Sequence, residues 1–169
     1  MRNYSFKLKN LKVCVIGLGY VGLPLAIEFG KKVFTTGFDI NKKRVRDLQN
    51  SIDENNELKK KDFKSSKYLT FNSNYKNLVN SNFYIICVPT PVNKKKIPDL
   101  TLLKNACLLL AKVVRKNDFI IFESTVHPGT TEEFCIPIIQ KEFSKINKVK
   151  VPSKDFFNYG YSPERINPG

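Results

Sequence analysis

Lys12-Val-Cys-Val-Ile16 runs without a break into Gly17-Leu-Gly19-Tyr-Val-Gly22. The first five residues are a short β-branched apolar run, the mark of a buried strand. The three glycines that follow stand at G-x-G-x-x-G spacing. In that context Gly17 permits a tight turn, Gly19 lets the backbone approach a pyrophosphate, and Gly22 lets the next helix pack against the strand. The helix reads from Tyr20 to Phe29, with Pro24 tolerated in its first turn and Gly30 as its stop. Its N-terminus offers free N–H groups and the positive end of the helix dipole to phosphate.

The next strand reads as Val33–Asp39 and ends on an acid 17 residues past Gly22. That is close to the ~20 residues expected for a carboxylate that holds a ribose 2′-hydroxyl. Such a carboxylate repels a 2′-phosphate, so Asp39 favours NAD over NADP. Arg44 weighs on the other side, because a nearby arginine can accommodate that phosphate. By itself the glycine motif also admits flavin or another nucleotide.

Beyond this point apolar strands and helical patterns alternate, which predicts a parallel sheet. Lys42–Asn50 reads as helical and Asp53–Lys67 as loop with a short helix. Strands are expected at Tyr68–Phe71, Phe83–Val88, Phe119–Glu123 and Phe156–Tyr161. Asp99–Lys116 is a strongly amphipathic helix, and Asn93–Lys96 a charged loop suited to a flap. Thr130–Phe143 is a helix that carries Pro137, so it is kinked or begins later. The expected fold is α/β: a Rossmann-like, doubly wound parallel sheet of about six strands in a single domain over residues 1–169.

Composition bounds the function. With 41% hydrophobic and 26% charged residues, the chain has the balance of an ordinary globular domain. No stretch approaches the ~18 apolar residues of a membrane span, and Met1–Asn10 lacks the apolar core of a secretory signal. A cytoplasmic protein with no membrane partner is expected. Cys14, Cys87, Cys107 and Cys135 form no C-x-x-C pair and have no metal spacing, so they read as buried reduced thiols, with no metal site. The net charge is +14. Its lysines, as at Lys31–Lys32, Lys42–Arg44 and Lys59–Lys61, fall at turns and helix ends without interleaved aromatics. They read as solvated charge, not as a nucleic-acid surface.

Ligands of doubly wound sheets bind outside the carboxyl ends of the strands. Three segments are expected there: Val88-Pro89-Thr90-Pro91, Glu123–Thr131, and Ser162–Gly169. Thr125 offers a hydroxyl that could orient water or a substrate oxygen. Glu164 offers a carboxylate for acid/base work, and Arg165 a guanidinium for phosphate or a sugar oxygen. His127 is the only histidine, but it precedes Pro128-Gly129 and reads as part of a turn.

Taken together, Ile16–Ala26 (IGLGYVGLPLA), Cys87–Pro91 (CVPTP), Glu123–Glu132 (ESTVHPGTTE) and Tyr161–Gly169 (YSPERINPG) make the chain resemble the N-terminal domain of the UDP-glucose/GDP-mannose dehydrogenase family. The last segment is similar to the branch acting on UDP-N-acetylhexosamines, UDP-GlcNAc or UDP-GalNAc, where other members carry N-P-E-F-L-x-E-G. The resemblance implies NAD as cofactor and a UDP-sugar as substrate. It also implies two successive hydride transfers from C6 through a cysteine thioester to a uronate, in surface polysaccharide synthesis. By the same resemblance Tyr20 and Val21 present backbone N–H groups to the pyrophosphate. Val88, Pro89 and Thr90 line the nicotinamide–ribose side, Thr125 positions water, Glu164 is the acid/base, and Arg165 faces the sugar nucleotide.

The family's full-length members form homodimers. Their nucleophilic cysteine and catalytic lysine lie in later segments, and none of the four cysteines here matches that motif. The chain is therefore expected to be a truncated or split gene product without turnover of its own. Two other readings remain: a dinucleotide-binding module without catalysis, and another Rossmann oxidoreductase of the 3-hydroxyacid dehydrogenase type.

Overall fold

The structure is a computed structural model that describes residues 10–92, 98–153 and 156–163. Six strands form one sheet: β1 (Lys12–Ile16), β2 (Phe34–Phe38), β3 (Leu69–Asn72), β4 (Phe83–Ile86), β5 (Phe119–Phe122) and β6 (Asn158–Tyr161). Their order is β3-β2-β1-β4-β5-β6, and every adjacent pair is parallel. This is the doubly wound arrangement of dinucleotide-binding folds, with the chain reversing direction across the sheet between β1 and β4. Among the described residues five α-helices accompany the strands: α1 (Gly22–Gly30), α2 (Lys42–Gln49), α3 (Lys60–Ser65), α4 (Thr101–Leu110) and α5 (Ile136–Asn147).

The sheet separates two cores. Val13, Val15 and Ile85 point to one face and pack with Leu23, Ala26 and Ile27 of α1. Cys14, Ile16, Tyr84 and Ile86 point to the other and pack with Leu103, Cys107 and Leu110 of α4 and Ile139 of α5. Residue alternation along each strand therefore feeds opposite layers, which explains why these strands are apolar throughout.

Register decides where the site can be. Asn72, Phe38, Ile16, Ile86, Phe122 and Tyr161 are each other's partners across all five pairings, so the six strands end in one transverse row. Every loop leaving that row begins at the same rim.

The α-helix begins later than Thr130, as Pro137 implied, and is not kinked at the proline. Thr130–Cys135 forms a wide π turn, and α5 starts after it with Pro137 in its first turn, where a missing N–H costs nothing. The helix expected over 99–116 stops at Leu110. Tyr75–Asn80 adds a 3-10 turn, and the flap over Asn93–Lys96 lies outside the described residues.

Candidate functional site

The glycine loop is shaped by two contacts that a Cβ would destroy. Gly17 has φ +93°, a left-handed conformation, and a Cβ there would stand 2.9 Å from the Cys87 carbonyl oxygen. A Cβ on Gly22 would fall 1.8 Å from the Gly17 carbonyl oxygen, so only glycine lets α1 begin this close to the turn. At Gly19, by contrast, a Cβ would meet nothing within 4 Å. That space is the open cleft, and backbone there is free to approach a ligand. Tyr20 and Val21 follow directly, and Val21 caps α1 without a side-chain bond, leaving the helix start to other partners.

Asp39 leaves the rim beside this loop. Its Oδ2 accepts the Leu18 N–H at 2.9 Å and its Oδ1 accepts the Asn41 N–H at 2.9 Å. A carboxylate oxygen has more than one acceptor position, so Asp39 keeps capacity for a ribose hydroxyl while it holds the loop. Asn41 in turn caps α2, its side chain accepting from the Lys43 and Arg44 amides.

Arg44 turns onto the protein. Its Nε and Nη2 donate to the Leu18 carbonyl at 3.1 and 3.0 Å, and its Nη1 pairs with Asp53 Oδ1 at 2.8 Å. The residue is buried. The guanidinium thus borders the cleft but grips the chain, which takes away its fitness for a 2′-phosphate.

Of these residues Gly17, Leu18, Gly19, Asp39, Asn41 and Arg44 line one cleft of about 410 Å³, and Tyr20, Val21 and Gly22 do not. One wall carries Gly17, Gly19 and Asp39. The other carries Val88 and Pro89 from the β4 rim, and Leu102, Ala106 and Leu109 from α4. Ile40, Asn41 and Asn55 lie at the Asp39 end. The mixture of an apolar slot, a carboxylate and an exposed glycine loop fits a dinucleotide. Sequence reasoning missed the α4 wall and Asn55. The signal for the wall is in Thr101–Leu110, which is apolar on more than one face: Leu103, Cys107 and Leu110 serve the core, Leu102 is exposed, and Ala106 and Leu109 border both core and cleft.

Thr90 and Thr125 stand further along the rim. The Thr90 hydroxyl donates to the Thr125 carbonyl, and Ser124 Oγ donates to the Val88 carbonyl at 2.6 Å. The β4 and β5 loops are therefore tied to each other in two places. Thr125 itself is exposed. His127 sits in the turn, its Nδ1 3.1 Å from Thr130 Oγ1, and the Thr130 amide donates to its carbonyl. From Phe122 the rim passes to Ser162, whose amide donates to the Phe122 carbonyl at 2.9 Å. Glu164 and Arg165 lie outside the described residues. All four cysteines are buried, and burial raises the Cys14 thiol well above its ordinary value.

A glycine loop at a helix start, an acid at the end of β2 and a cleft at the β1/β4 reversal define a dinucleotide-binding Rossmann domain. The chain belongs to the UDP-glucose/GDP-mannose dehydrogenase family, whose NAD binding domain matches residues 11–169. The cofactor of that domain is NAD. A UDP-N-acetyl-D-glucosamine 6-dehydrogenase of Pseudomonas aeruginosa is 49% identical over 162 residues, covering 96% of this chain and 37% of the relative. One from Salmonella typhi is 46% identical over 164 residues, covering 97% and 37%. Among solved structures, a UDP-D-ManNAc dehydrogenase from Pyrococcus horikoshii superposes with TM-score 0.76 at 30% identity, over 94% of this chain and 37% of the other. A GDP-mannose dehydrogenase from Pseudomonas aeruginosa, at 22% identity and TM-score 0.81, shares the fold. The chain thus spans about 37% of the length of these relatives. Family membership replaces the 3-hydroxyacid dehydrogenase alternative. Among the described residues no helix is long and apolar enough to cross a membrane.

Proposed function

We propose that residues 1–169 are the NAD-binding domain of a UDP-N-acetylhexosamine 6-dehydrogenase that makes a uronate for surface polysaccharide, working in the cytoplasm. The observation that carries the cofactor half is the convergence of the glycine loop, Asp39 and the β4 rim on one cleft at the β1/β4 reversal. The substrate half is supported by the two relatives at 49% and 46% identity, both UDP-N-acetyl-D-glucosamine 6-dehydrogenases, and by the Ser162–Gly169 segment.

NAD, when bound, accepts hydride. The chain's own residues do the rest on this side of the reaction. Gly17, Gly19, Tyr20, Val21 and Gly22 offer backbone to the pyrophosphate, and Asp39 accepts from the adenosine ribose. Asp39 disfavours NADP, since Arg44 is already engaged by Leu18 and Asp53. Val88, Pro89 and Thr90 border the nicotinamide end, and the ties from Ser124 and Thr90 hold the β4 and β5 loops together. Thr125 then presents its hydroxyl to the reacting water, Glu164 holds or gives a proton, and Arg165 meets the UDP-sugar. The capturing cysteine and the lysine of the family's reaction belong to the part of the relatives' length that residues 1–169 do not cover.

Calorimetry tests this reading. NAD should bind saturably and more tightly than NADP, and Asp39→Ala should weaken NAD about tenfold to a hundredfold, the loss of one or two charge-assisted hydrogen bonds. A folded wild-type sample that takes up no NAD would refute it.

A further inference from the structure

The glycine loop is held from behind by residues that the glycine motif does not contain. Leu18 is gripped at both of its backbone groups: its N–H by Asp39 Oδ2, and its carbonyl by Arg44 Nε and Nη2. Because a trans peptide sets its C=O and N–H on opposite sides, fixing the Leu18 carbonyl toward the buried guanidinium turns the Gly19 N–H the other way. Gly19 itself lines the cleft, and a Cβ on it would meet nothing.

Arg44 could not hold this pose alone. A guanidinium with 9% side-chain exposure needs an anion, and Asp53, whose side chain is fully buried, supplies it at 2.8 Å. Asp53 is itself fixed by its own loop. Its Oδ1 accepts the Asn55 amide at 3.2 Å, and its Oδ2 accepts the Glu57 and Leu58 amides at 3.0 and 3.2 Å. The same loop places Asn55 on the cleft wall, whereas Asp53 stands behind it.

We propose that Asp53 is a positioning residue for the cofactor: through Arg44 and the Leu18 carbonyl it aims the Gly19 N–H at the pyrophosphate. This rests on the cofactor reading above. Asp53 is not among the residues that line the cleft, so its effect should fall chiefly on the group that meets Gly19. Asp53→Asn removes the charge that anchors Arg44 and keeps one of the two oxygens that accept the loop amides, so the adenosine arm of the test reports any loosening of the loop.

The test is a set of NMR titrations of the ¹⁵N-labelled chain with NAD, ADP and adenosine, comparing wild type with D53N. NAD and ADP should each bind D53N about tenfold more weakly, while adenosine, which has no phosphate, changes less than about twofold. The Gly19 amide resonance should shift in D53N before any ligand is added. Unchanged NAD affinity in folded D53N would overturn the proposal. So would an equal loss for adenosine, which would mean general loosening. If wild type itself binds none of the three, the cofactor reading falls with it. Should D53N not fold, R44K carries the same test: it keeps a cation beside Asp53 and loses the two-donor grip on Leu18, and undiminished NAD binding by R44K would overturn the proposal as well.

Discussion

The two ends of the sheet are made from the same six strands and use polar groups in opposite ways. At the carboxyl rim, polar groups aim backbone outward: Asp39 and Arg44 set Leu18, and Ser124 and Thr90 tie the β4 loop to the β5 loop. At the amino end, polar groups turn inward and close on each other. Tyr84 Oη shares its one proton between the Leu78 and Ser81 carbonyls, Arg115 Nη2 donates to the Ser81 carbonyl at 2.8 Å, and the Arg115 amide donates to Asp118 Oδ2 at 2.7 Å. Asn82 bridges Asn10 and Lys12 at the start of β1. At one end the glycine loop is left open to the cleft, while at the other these polar groups serve one another. Substitutions at the rim should therefore change binding, and those at the amino end should change stability alone.

Gly22→Ala is the strongest attack on this division, because it should do both. Its Cβ would overlap the Gly17 carbonyl oxygen at 1.8 Å, and neither backbone segment can yield without moving α1 off β1. We expect a loss of about 3 kcal/mol in chemical denaturation together with loss of NAD binding. A stable Gly22→Ala protein with intact affinity would show that the close approach is not required.

Asp118 probes the amino end through pH. Burial pushes its carboxyl up to about 6, against the opposing pull of the Arg115 amide and guanidinium. A carboxyl raised on folding contributes stability that is complete below the unfolded value near 3.8 and is lost as pH rises through about 6. The chain should thus lose about 2 kcal/mol between pH 4 and pH 7 from this group. Asp118→Asn should flatten that slope in denaturation curves and leave NAD affinity unchanged. An unaltered slope would remove Asp118 from the account.

The fold was legible where one local rule sufficed. β1 coincides with its expected limits, because an apolar run and a glycine stop leave no latitude. β2 and β4 are shorter than their apolar runs, since Asp39, Cys87 and Val88 lie past the row where all strands end, and that row is set by neighbours, not by propensity. At the site, Gly17, Gly19, Asp39, Val88 and Pro89 line one cleft. Asp53 and Asn55 could not be read, because their meaning depends on a bond from Arg44 to a carbonyl 26 residues earlier. The polar, poorly periodic stretch that contains them gives no period to follow. Arg44 was legible as a residue near the ribose but not as a buried clamp, for the same reason.

Tyr84→Phe gives a smaller effect and a cleaner separation. It removes one hydroxyl from a fully buried ring and leaves the Leu78 carbonyl without that donor, while Arg115 still serves Ser81. The expected loss is about 1 kcal/mol, with NAD affinity at the wild-type value. Weakened NAD binding in this variant would mean that the two ends communicate through β4.

Thr90→Val should have the smallest effect on stability and is the sharpest test of the rim. The two side chains have nearly the same shape, so the substitution removes the bond to the Thr125 carbonyl and little else. That carbonyl lies at an exposed position where water can replace the donor, so the stability change should stay within about 0.5 kcal/mol. The β4 and β5 loops would still be joined by Ser124 and Val88, but with one tie they would sample more arrangements, and a ligand spanning both must reorder them. A rise of a few-fold in the NAD dissociation constant is expected, with adenosine binding unaffected because Asp39 and Asn55 lie at the far end of the cleft. An equal loss for adenosine would show that the cleft moves as one body, and no loss at all would reduce the Thr90 tie to a turn bond.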